Sequence, residues 1–114
     1  MTKKRRPSRR GRKPSVELRK KLQRAEQFLA DGQGQAARAL LEPLLDAHPR
    51  VADLHYHVGY ARVLMGDVWE GLNAYERAAE LARQSEYWVP LTLLYLELDM
   101  SVHALQAMRR IPKL

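Results

Sequence analysis

From Leu18 to Met108 the apolar residues recur at spacings of three and four, and no segment shows a clear period-two alternation. A three-and-four spacing places side chains on one face of a helix, so the pattern predicts helices and no strands. Leu18, Leu22, Ala25, Phe28 and Leu29 define a first helix after a candidate N-cap at Ser15. The turn Asp31–Gly34 separates it from a second, carried by Ala36, Ala37, Leu40, Leu41, Leu44 and Leu45 and closed by the His-Pro-Arg run at 48–50. A third helix is expected over about 52–65, a fourth over about 68–84, a fifth from about Trp88 to Asp99 and a short sixth over about 101–110. Pro90 fits the first turn of the fifth helix, where its missing N–H costs nothing.

The segments repeat. Gly32 and Gly66 are 34 residues apart, and Ala25–Gly59, Phe28–Arg62, Ala37–Gly71 and Leu41–Tyr75 share that offset. An offset of 33 then relates His55 to Trp88, Gly66 to Asp99 and Gly71 to Ala104. The brief turns inside each pair predict antiparallel neighbours, and six helices become three helix–turn–helix units. Small residues at Gly59, Gly71 and Ala78 would let these helices approach closely, with Val58 and Tyr75 filling the space between them. A phosphate-binding loop at Gly66–Gly71 is the losing alternative: no Gly-Lys-Ser/Thr ending is present, and the segment follows a helix.

The register resembles the tetratricopeptide repeat family, whose pattern is W-x2-L-G-x2-Y, then a small residue, an aromatic residue and a closing proline. The first unit supplies Ala25, Phe28, Ala37, Leu41 and Pro49, the second Val58, Gly59, Gly71, Tyr75 and Ala78, and the third Trp88, Leu91, Tyr95, Ala104 and Met108. Lys21, Arg24, His55, Arg62 and Arg83 stand where the family has other residues. The resemblance covers about residues 16–114, with repeats at about 18–51, 52–84 and 85–114. It implies an all-α fold, an α-solenoid of three antiparallel helix hairpins in a right-handed superhelix. It also implies a concave groove lined by the first helix of each unit. By position the liners are Leu22, Glu26 and Leu29, then Tyr56, Tyr60 and Val63, then Val89, Leu93 and Leu96. The Lys, Asn and Arg with which some members clamp a peptide carboxylate are absent. The expected ligand is therefore an apolar or amphipathic helical peptide, and the expected function is that of a non-enzymatic protein–protein interaction module, an adaptor or chaperone-like binder.

Charge changes the picture only at the N-terminus. Lys3, Lys4, Arg5, Arg6, Arg9, Arg10, Arg12 and Lys13 lie within the first fifteen residues, which hold no acid. Residues 16–114 hold twelve basic against thirteen acidic residues, so the whole net charge of +7 originates in the tail. Such a block repels itself and has nothing apolar to bury, so residues 1–15 are expected to be disordered. Its cations could neutralise phosphates. Arg9–Pro14 is similar to an AT-hook, with Lys13 inserted before the proline. Nucleic-acid association through the tail is thus the alternative function, and a solubilising tail without a dedicated role is the plainer reading.

Candidate chemistry adds little. There is no cysteine, which excludes disulfides and thiolate metal sites. His55 and His57 diverge on a helix, and Asp53 reads as too near in sequence to serve either, so no metal or cofactor is expected. None of Ser8, Ser15, Ser85 and Ser101 sits in a nucleophile elbow. Glu80 and Arg83 read as a surface pair. No apolar run reaches the length of a membrane span and no signal sequence is evident. The expectation is an intracellular protein, cytoplasmic, or nuclear in a eukaryote, with no small-molecule substrate. The fifth helix is apolar on almost every side, and the sixth, through Val102, Leu105 and Met108, is expected to cover one face of it. Some of Leu93, Leu94, Leu96 and Leu98 should then stay exposed and dock onto a partner or a second copy.

Overall fold

The computed structural model describes residues 16–82 and 87–111, and every regular element among them is a helix. These are α1 (Val16–Ala30), α2 (Gly34–Ala47), α3 (Ala52–Leu64), α4 (Val68–Ala82), α5 (Trp88–Glu97) and α6 (Ser101–Met108). Each helix packs against the one that follows it, and α1 also reaches α3. Ser15 and the basic tail, Arg83 and Ser85 lie outside the described residues.

Three turns show how the repeat is encoded. Gly32 and Gly66 adopt φ of +76° and +90°, and Asp99, at the equivalent place, adopts +59°. Such left-handed residues end helices by turning the next N–H back onto an orphan carbonyl. The N–H groups of Gln33, Asp67 and Met100 donate to Phe28, Arg62 and Tyr95 carbonyls, each at 2.8 Å. The N–H groups of Gly32, Gly66 and Asp99 donate to Leu29, Val63 and Leu96 carbonyls at 3.0, 3.0 and 3.1 Å. One turn geometry therefore recurs at the 34- and 33-residue offsets seen in the sequence.

Between the turns, small residues set the spacing. A Cβ on Gly34 would lie 2.8 Å from the Ala61 carbonyl oxygen, so α2 meets α3 backbone to backbone. Pro43 lies inside α2 and removes one backbone donor from its ladder. Buried Leu41 and Leu44 on either side anchor the helix across that gap.

The core falls into two clusters. Leu18, Ala25 and Leu29 from α1, Ala37, Leu41 and Leu44 from α2, and Leu54, Val58 and Ala61 from α3 form the first. Leu72, Tyr75 and Ala79 from α4, Leu91, Leu94 and Tyr95 from α5, and Ala104 and Ala107 from α6 form the second, with Tyr56 and Val63 of α3 packed against it. α3 thus buries one side in each cluster, which explains why its sequence lacks a single apolar stripe.

The α5–α6 pair corrects one expectation. Val102, Leu105 and Met108 do not cover α5; all three are exposed, and Ala104 and Ala107 face it instead. Small side chains allow the closer approach of the two helices, so the bulky positions of α6 turn outward. Glu80 pairs with Arg77, one turn earlier, at 3.2 Å; its expected pairing with Arg83 falls outside the described residues.

Candidate ligand-binding face

The first helices of the three sequence units are α1, α3 and α5, and side chains tie them together. Tyr87, just before α5, donates its hydroxyl to Asp53 Oδ1 on α3 at 2.7 Å. His57, also on α3, places Nε2 3.1 Å from Glu26 Oε2 on α1. Glu26, Asp53 and Tyr87 therefore add polar links from α1 and from the start of α5 to α3, around one buried imidazole.

Tyr56 is the hub of the aromatic packing. Its ring stacks on Tyr75 at a centroid distance of 5.3 Å, tilts against Tyr87 at 5.3 Å, and meets Tyr60 at 6.3 Å and the edge of His57 at 5.2 Å. Aromatic pairs prefer such offset and edge arrangements over a perfect sandwich. Burial raises the Tyr56 pKa above the usual phenol value, with the charges of Tyr60 and Asp53 adding to the effect. Burial also raises Tyr75, beside Tyr56, Tyr60 and Glu97. Tyr95 is raised by burial first and then by its hydrogen bond to Glu76.

The nine liners expected from the sequence divide into three groups. Leu29 is 4% exposed and belongs to the first core cluster, so it offers no surface to a ligand. Leu22, Tyr56 and Val63 are half-buried. Glu26, Tyr60, Val89, Leu93 and Leu96 are exposed. On α5, Val89, Leu93 and Leu96 make an uninterrupted apolar row, because positions four and seven apart share a helix face. Leu93 and Leu96 are 58% and 51% exposed, which agrees with the expectation that part of α5 remains uncovered. Leu94 is buried at 4%.

The sequence reading missed the environment of His57. Asp53 is not too near to serve it: it lies four residues earlier, one helical turn away, with Oδ1 3.6 Å from Nδ1. The Asp53 backbone carbonyl is closer still, 2.6 Å from Nδ1. The spacing of four was the available signal. Glu26, in contrast, comes from another helix and no local pattern announces it. His55 has a different task, with Nε2 2.8 Å from the Pro49 carbonyl, holding the turn between α2 and α3.

A polar cluster joins the same helices on another side. Arg62 reaches Glu42 on α2 at 2.7 Å, Glu70 on α4 at 2.8 Å and Asp67 in the turn at 3.4 Å, and Glu42 also accepts from Arg38 at 2.9 Å. The eight tail cations lie outside the described residues. Among the described residues no helix is long and apolar enough to cross a membrane. In comparison with known proteins, the chain matches no family model and no curated protein sequence.

Proposed function

We propose that this protein is a non-enzymatic interaction module. On this reading the three hairpin-like units form a short tetratricopeptide-like solenoid, whose first helices present a face to an apolar or amphipathic helical peptide. The observation that carries it is the α5 row of Val89, Leu93 and Leu96, exposed to solvent as Tyr60 on α3 also is. An apolar surface left open by a folded chain has a favourable free energy of burial available to a partner. A helical peptide offers a matching row at three- and four-residue spacing.

The test is selection of amphipathic helical peptides on the full chain, followed by affinity measurement by fluorescence anisotropy. Tyr60→Ala combined with Leu93→Ser alters only exposed side chains, so circular dichroism should be unchanged. Affinity should fall at least about tenfold, equivalent to ~1.4 kcal/mol. Equal affinity in the variant would remove this face from consideration.

A second reading rests on the tail. Eight cations ahead of a body with a net charge of −1 suit an electrostatic, weakly sequence-specific attachment to DNA or RNA. With at most eight phosphates contacted, the log–log salt slope should not exceed about −7 in magnitude. Binding by residues 16–114 as tight as by the whole chain would contradict it.

A further inference from the structure

The imidazole of His57 is buried, with a side-chain exposure of 9%, and its two nitrogens have different partners. Nδ1 lies 2.6 Å from the Asp53 carbonyl oxygen, which can only accept a hydrogen bond, so Nδ1 carries a proton and donates it. Nε2 then points at Glu26 Oε2 from 3.1 Å. A neutral ring with its proton on Nδ1 would set two lone pairs against each other there. The contact needs either a proton shared between the ring and the carboxyl group or a metal ion between the two atoms.

The surroundings suit the metal. A backbone carbonyl on Nδ1 is the usual means of fixing a ligand histidine's tautomer and aiming Nε2. Two neighbouring ligand atoms on one ion with bond lengths of about 2.0–2.2 Å are about 2.8–3.1 Å apart at right angles and about 3.3–3.6 Å apart at tetrahedral angles, and the Nε2–Oε2 distance of 3.1 Å lies within that span. Asp53 is the third member of the group: one ligand atom from each of Glu26, Asp53 and His57, counting either ring nitrogen, lies within 4.8 Å of the others, and Asp53 Oδ1 is 3.6 Å from Nδ1. Tetrahedral ligands of such an ion are about 3.3–3.6 Å apart, so a carboxylate movement of about 1–1.5 Å closes the triad. The Tyr87 hydroxyl on Asp53 Oδ1 orients that carboxylate from the other side. Glu26 and Asp53 are 52% and 45% exposed, which leaves a path for the ion and room for water ligands.

We propose that Glu26, Asp53 and His57 form a binding site for a first-row divalent transition-metal ion, in which His57 coordinates through Nε2. One imidazole and two carboxylates favour Zn²⁺, Co²⁺ or Ni²⁺ over Mg²⁺, which prefers all-oxygen ligation. The bound ion links α1 to α3 and replaces the charge that the facing acceptors require.

Isothermal titration of the full, untagged, chelator-treated chain with zinc chloride tests the site. One ion per chain should bind with micromolar affinity, and magnesium chloride should give no heat. Glu26→Gln changes an exposed carboxylate and should keep the fold while weakening zinc at least about tenfold. His57→Gln should abolish the binding, and zinc should shift the ring resonances of His57 and leave those of His48 and His103 in place. The proposal is overturned if no saturable zinc binding occurs, if magnesium binds equally well, or if Glu26→Gln binds zinc as the parent chain does.

Discussion

Gly59 and Gly71 face each other so closely that neither has room for a methyl group. A Cβ on Gly71 would lie 2.9 Å from the Gly59 carbonyl oxygen and 2.6 Å from Val63 Cγ2; one on Gly59 would lie 2.7 Å from the Tyr75 ring. On an exposed helix, Gly→Ala gains about 1 kcal/mol of propensity. Here overpacking against a backbone oxygen and a stiff, branched valine outweighs that gain. Gly71→Ala should lose about 1–3 kcal/mol in urea denaturation. A stabilised variant would show that α3 and α4 can separate without cost.

Arg62 offers a test of the polar joint. It meets carboxylates of α2, α4 and the intervening turn, and its side chain is largely buried. Arg62→Ala leaves those carboxylates crowded and unpaired, and should cost about 1–3 kcal/mol. Glu70→Gln, at the exposed edge of the same cluster, should cost under about 1 kcal/mol. Thermal melts of the two variants separate these effects.

Asp99 occupies the turn position that Gly32 and Gly66 fill elsewhere, with the same sign of φ. A side chain there crowds the following carbonyl, although aspartate tolerates the conformation better than most residues. Asp99→Gly should therefore stabilise the chain by about 0.5–1 kcal/mol, whereas Gly66→Ala should destabilise it by about 1 kcal/mol. Opposite signs in chemical denaturation would support the equivalence of the three turns; equal signs would count against it.

Alkali should unfold the protein through its tyrosines. Tyr56, Tyr75 and Tyr95 all have pKa values raised above the usual 10.0. Above pH 10 the folded chain holds phenol protons that the unfolded chain has released. Their contribution to stability is full below pH 10 and declines as pH rises beyond it. Ultraviolet titration should show Tyr56, Tyr75 and Tyr95 ionising only as the chain unfolds, and melting temperatures should fall above pH 10. Ionisation of these three near pH 10 without unfolding would contradict the buried aromatic cluster.

Helix boundaries were legible in the sequence because glycine and proline mark them: Gly32, Gly66 and Pro49 act on the backbone locally. The 34-residue offset was legible for the same reason, since each turn is a local structure. Which face of α6 meets α5 was not. Counting apolar side chains favoured Val102, Leu105 and Met108, but the distance between helices depends on the smallest residues, Ala104 and Ala107. Leu29, expected among the surface-facing positions of α1, is buried in the first cluster, because one helical turn contains both surface and core positions and only packing separates them. The Glu26–His57 contact spans two helices and has no local trace at all.

The division of the core into two clusters sharing α3 bears on how the protein opens. Each cluster can loosen while the other keeps its contacts, and α3 has to be released by both. Amide hydrogen exchange should therefore be slowest in α3 and faster in α5 and α6, whose packing comes from one cluster alone. Tyr87 and Asp53 provide the polar latch between the halves. Because Val89, Leu93 and Leu96 all lie beyond that latch, the apolar row can be dismantled by a partial opening. A ligand seated on it would hold that half shut and slow exchange there first.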